Sequence, residues 1–70
     1  SAFASNLKSL MKYQNINQVE LADKTGLTNV MINHYLHERK MPTVRSIVNI
    51  SYALNVNVNE LIDFGEMITK

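Results

Sequence analysis

Only three residues in this chain of 70 interrupt a helix by their own chemistry: Pro42, Gly26 and Gly65. Proline lacks a backbone donor, and glycine takes left-handed backbone at little cost. Their scarcity leaves long stretches in which helix is the easiest conformation, while the period-two alternation of strands is weak. The length suits one small domain. A chain this short buries only about 60% of its unfolded surface, so its core must be simply patterned. There is no cysteine, hence no disulfide framework and no thiolate metal site. The apolar runs fall far short of the ~20 residues that span a bilayer, and no basic-then-apolar leader is present. The expectation is a cytoplasmic, all-α protein with no membrane segment.

The helix boundaries can be placed from caps and stripes. Residues 1–4 are expected to be a flexible N-terminus. Helix 1 should run from about Ala4 to Tyr13, with Phe3, Leu7, Leu10 and Met11 on one apolar face. Asn17 is an N-cap and Glu20 stands three residues later, the pattern of a capping box, with Ile16 placed to staple onto Leu21. Helix 2 then runs to about Lys24 and stops at Gly26. Thr28 caps helix 3, whose buried stripe is Ile32, Tyr35 and Leu36. Thr43 caps helix 4, Val44 to Leu54, with Ile47, Ile50, Ala53, Leu54 and Val48 inward. Asn57 and Glu60 repeat the pattern of Asn17 and Glu20 and predict a fifth helix.

Charge is unevenly spread beneath a net +1. Residues 1–45 hold six cations against three acids, a net +3; residues 46–70 hold Lys70 against Glu60, Asp63 and Glu66, a net −2. A domain polarised in this way can turn one face towards a polyanion.

From Gln18 to His37 the pattern is helix, short turn around Gly26, helix. Ala22 is small where the second helix must cross the first closely. This is the helix-turn-helix arrangement, whose second helix fits a major groove about 12 Å wide. Here the sequence resembles the lambda-repressor-like family, over roughly Ser5 to Asp63. The matching segments are Asn17 to Ala22, Gly26 to Thr28, Ile32 to Leu36, Arg39 to Thr43 and Ala53 to Leu61. The resemblance implies a compact five-helix domain with helices 2 and 3 as the helix-turn-helix. Two positions depart from the usual family pattern: Glu38 stands where glycine is common, and Thr25 where small or apolar residues are usual.

With Ile32 inward and 100° per residue, Val30 lies about 160° round helix 3, His34 about 200°, His37 about 140° and Asn33 about 100°. Asn29 sits in the first turn, where helix tips meet base edges in this docking mode. Asparagine can pair with adenine, valine can touch a thymine methyl, and histidine can donate to guanine. Asn29, Val30, Asn33 and His34 are therefore the expected base contacts. The resemblance places Gln18 against a phosphate and beside Asn29. Thr28, His37, Arg39, Lys40 and Arg45 are the other phosphate candidates; free N–H groups at helix starts suit anions without formal charge. His34 and His37 lie three apart, but with no cysteine and only Glu38 nearby they form no expected metal site. No cofactor is expected. No phosphate-cradling glycine loop or nucleophile–base grouping suggests an enzyme.

The reading is a bacterial or phage transcriptional regulator, a repressor, whose recognition helix, about Thr28 to Leu36, enters the major groove. One such helix covers a half-site, so the expected form is a homodimer on a palindromic operator. Residues 5–63 would be the DNA-binding domain. Residues 64–70, with Phe64, Met67 and Ile68, would be a tail serving as dimer contact or linker, leaving room for a further C-terminal domain or a partner protein. The rival reading is an interaction module, an antitoxin or adaptor, built on the same fold.

Overall fold

A computed structural model describes residues 2–62. In chain order these form α1 (Ala2–Gln14), α2 (Gln18–Thr25), α3 (Asn29–Leu36) and α4 (Val44–Leu54), followed by a 3-10 turn at Val58–Glu60. The described part is all-helical. α1 begins at Ala2, earlier than the expected Ala4, because Phe3 and Ala4 are buried and hold the first turn in place. The Phe3 ring meets Tyr35 edge-to-face, with centroids 5.8 Å apart and an interplanar angle of 88°, a favoured geometry for the ring quadrupoles.

The core draws on every element. Leu7 and Met11 of α1, Leu21 and Ala22 of α2, Ile32, Tyr35 and Leu36 of α3, and Ile47, Ile50 and Leu54 of α4 are buried, as are Leu61 and Ile62. Leu27, Leu10 and Ala53 pack against this cluster half-buried. Val48 is exposed, not inward as its apolar character suggested; its neighbours Ile47 and Ile50 already fill the inner face of α4.

Caps fix the helix starts. Asn17 Oδ1 accepts the Glu20 N–H at 2.8 Å, and the Glu20 carboxylate accepts the Asn17 N–H at 2.9 Å, closing the expected box. Thr28 Oγ1 accepts the Met31 N–H at 3.1 Å, and Thr43 Oγ1 the Ser46 N–H at 3.0 Å. Three helices end in the same way, on a residue in left-handed backbone: Asn15 (φ 55°), Glu38 (φ 57°) and Asn55 (φ 57°). In each case the next residue's N–H returns to the carbonyl five positions back: Ile16 to Met11, Arg39 to His34, Val56 to Ser51. That is the Schellman closure. α2 stops at Gly26 (φ 75°), whose N–H bonds to the Ala22 carbonyl at 2.9 Å.

The expected fifth helix needs correction. Among the described residues its position holds only the 3-10 turn. The Glu60 carboxylate accepts the Asn57 N–H at 2.9 Å, as in a capping box, but the Glu60 N–H bonds the Asn57 main-chain carbonyl at 3.0 Å. That is the i to i+3 ring of a 3-10 turn. Burial of Leu61 and Ile62 then anchors the turn. Any continuation, and the tail with Phe64, Met67 and Ile68, lies outside the described residues. So do Asp63 and Glu66.

Side-chain amides tie distant helix ends together. Gln14 Nε2 donates to the Leu54 carbonyl at 2.8 Å, joining the ends of α1 and α4, and Asn6 Nδ2 donates to the Leu61 carbonyl at 3.1 Å. Each supplies a partner to a carbonyl that a helix end leaves open.

Candidate nucleic-acid interface

The turn between α2 and α3 sets the angle of the candidate reading helix, and Thr25 stiffens it. Its buried hydroxyl donates to the Leu21 carbonyl at 2.8 Å and accepts the Leu27 N–H at 3.2 Å. Asn49 of α4 donates through Nδ2 to the Thr25 carbonyl at 2.7 Å. One short polar residue thus joins the end of α2, the start of the turn and α4. The sequence pattern marks Thr25 only as a departure from the usual family residue and does not mark Asn49. The available signal was a hydroxyl at a position where this turn usually carries a small or apolar side chain.

On the far side of the crossing, Gln18 joins α2 to two positions of α3. Its Nε2 donates to Asn29 Oδ1 at 3.2 Å, and its Oε1 accepts from Asn33 Nδ2 at 3.3 Å. The Gln18–Asn29 neighbourhood expected from the resemblance is present. Asn33 joins it as well, because its flank of α3 faces the start of α2.

Around these amides the expected contacts divide. Asn29 is exposed, and Val30 shows 64% of its surface. Asn33 is half-buried, consistent with its bond to Gln18. His34 is also half-buried, and its Nδ1 is enclosed without a hydrogen-bond partner. His34, expected to point outward, is thus partly exposed, with one of its two ring nitrogens enclosed.

Thr28, His37, Arg39, Lys40 and Arg45 are exposed, and Gln18 is half-buried. His37 Nδ1 lies 2.9 Å from the Asn33 carbonyl. A carbonyl only accepts, so Nδ1 carries the proton and Nε2 is the ring atom left for another partner. Arg39 and Lys40 follow the left-handed Glu38, and Arg45 lies in the first turn of α4. The structure thus brings Gln18, Asn29 and Asn33 together and places His37, Arg39 and Lys40 in one loop beyond α3. Among the described residues no three His, Cys, Asp or Glu side chains group as a metal site would require. No helix of the described part is long and apolar enough to cross a membrane.

Comparison with known proteins bears on this geometry. A family model described as helix-turn-helix matches residues 7–61. An uncharacterized HTH-type transcriptional regulator of Bacillus subtilis (strain 168), YqaE, is 32% identical over 60 residues, which cover 86% of this chain and 52% of that protein. The chain thus spans about half the length of this relative. No solved structure matches the chain at a significant level.

Proposed function

The chain belongs to the lambda-repressor-like helix-turn-helix family, a family of DNA-binding regulators, and we propose that it is the operator-reading part of a transcriptional repressor. In this reading α3, capped by Thr28, lies in the major groove. Asn29, Val30, Asn33 and His34 meet base edges; Gln18, Thr28, His37, Arg39, Lys40 and Arg45 meet phosphates. His34 does so without its enclosed Nδ1. The observation that carries the reading is the exposed tip of α3, where Asn29 is held by Gln18 at 3.2 Å beside a 64% exposed Val30. At the exposed start of α3 this bond fixes a polar side chain that keeps donors for a further partner.

The protein acts as a homodimer on a palindrome, one α3 per half-site, in the cytoplasm at the nucleoid. A supporting observation is the outer face of α4. Val44, Val48 and Tyr52, spaced four apart, are 67, 49 and 88% exposed, and Met41 before them is 82% exposed. Contiguous apolar surface of this kind marks interaction sites, and a second copy is the partner that a palindrome supplies.

Selection of bound sequences from random duplexes tests the reading. Recovery of a palindrome supports it. Failure to enrich any sequence, with a near-zero slope of log K against log salt, would overturn it in favour of an interaction module.

A further inference from the structure

Three helix ends of this domain use the same left-handed closure, and two of them place asparagine there. Asparagine is one of the few side chains that tolerates this backbone region well. The third, at the end of α3, places Glu38. Glutamate is disfavoured at this backbone angle relative to glycine or asparagine. It is also exposed. Its neighbours His37, Arg39 and Lys40 are exposed too, and Arg39 and Lys40 are cations. The turn is held to α3 through Arg39 N–H on the His34 carbonyl at 2.8 Å and Glu38 N–H on the Tyr35 carbonyl at 3.3 Å. Glu38 therefore travels with the reading helix and stands, along the chain, between its last turn and the loop cations Arg39 and Lys40.

The geometry points to Glu38 as an electrostatic brake on DNA binding, a residue that limits the sequence-independent attraction of the loop for phosphate. This rests on the DNA reading above. Phosphate attraction supplies essentially all non-specific binding, and it is set by the charges that reach the backbone. One acid among the loop cations cancels part of that attraction wherever the domain lands. A single copy then dwells briefly on random DNA, and base contacts decide where it stays.

The test uses the full 70-residue chain, Glu38→Gln and Glu38→Gly, with a fluorescent random-sequence duplex and a duplex recovered by selection. Glutamine keeps the side-chain length and the backbone penalty while removing the charge. Glu38→Gln should bind both duplexes about three- to tenfold tighter at ~50 mM salt. The gain should shrink towards unity at ~500 mM, where the Debye length is roughly 4 Å. Glu38→Gly should show the same tightening and melt higher than Glu38→Gln, because glycine relieves the left-handed backbone. Equal affinity of Glu38→Gln and wild type at low salt overturns the brake. So does a gain that persists unchanged at high salt, or one confined to Glu38→Gly, which would assign the effect to contact geometry or backbone strain. If the wild-type chain binds neither duplex at any salt, the DNA reading falls and the brake with it; if it binds and Glu38→Gln is no different, the brake alone falls.

Discussion

Gln18 Nε2 donates to Asn29 Oδ1 at 3.2 Å, so the first turn of α2 and the first turn of α3 are joined by their amides at the exposed end of the crossing. The bond leaves Asn29 its Nδ2 donors and one Oδ1 lone pair, the set an asparagine needs to pair with adenine. If the two act as a unit, Gln18→Ala and Asn29→Ala should each lose roughly 1–3 kcal/mol of binding to the selected site. The double variant should lose less than the sum, with a coupling of about 0.5–2 kcal/mol. Melting temperatures should stay near wild type, since neither side chain is buried. A fluorescence-anisotropy cycle measures this, and strictly additive losses would mean that Gln18 does not orient Asn29.

Readout and positioning should separate at Val30 and Lys40. Val30 is an exposed apolar side chain at the tip of α3, suited to a thymine methyl. Its replacement by Ala should cost about 1 kcal/mol or more on the selected site and almost nothing on random duplex. Lys40→Ala should weaken binding to both equally and lower the salt slope by about 1. Equal loss on both duplexes for Val30→Ala would remove it from the reading face.

Thr25 gives a stability prediction. Thr25→Val keeps the shape but removes the hydroxyl, leaving the Leu27 N–H without the acceptor 3.2 Å away and the Leu21 carbonyl without its donor at 2.8 Å. The expected loss is about 1–2 kcal/mol, read as a melting temperature roughly 4–16 °C lower. DNA affinity should also fall, since the turn aims α3. A calorimetric scan with unchanged melting would show that the hydroxyl is dispensable to the turn.

What could be read in advance was local; what could not was tertiary. The start of α2 and the turn into α3 follow from Asn17, Glu20, Gly26 and Thr28, whose side chains or backbone act within four residues of themselves. The start of α1 has no comparable cap; burying Phe3 against Tyr35, more than thirty residues away, decides it. Val56 to Leu61 carries the same start pattern as Ile16 to Leu21, yet the backbone closes three residues back and no α-helix follows within the described residues. At the candidate site, Asn29 and Val30 stand out because a helix tip is defined by its own residues. Asn33 differs because its partner, the Gln18 amide, comes from another helix.

The outer face of α4 bears on assembly. In a two-fold dimer the same patch meets itself, so a change at one position acts on both copies at once. Val48 and Tyr52 are exposed, one helical turn apart, and contribute nothing to the buried core. Replacing both by Gln should leave melting unchanged and keep affinity for a single half-site duplex, because no charge is altered. Affinity for the full palindrome should fall by about tenfold or more as cooperative pairing is lost. Sedimentation of the protein–DNA complexes would show one copy per palindrome at concentrations where the wild type places two. Glutamine is preferred to glutamate, since an added acid would weaken DNA binding through the field alone and imitate loss of pairing. If the double variant still fills both half-sites cooperatively, the copies meet through another surface, and the exposed stripe on α4 has no part in reading the operator.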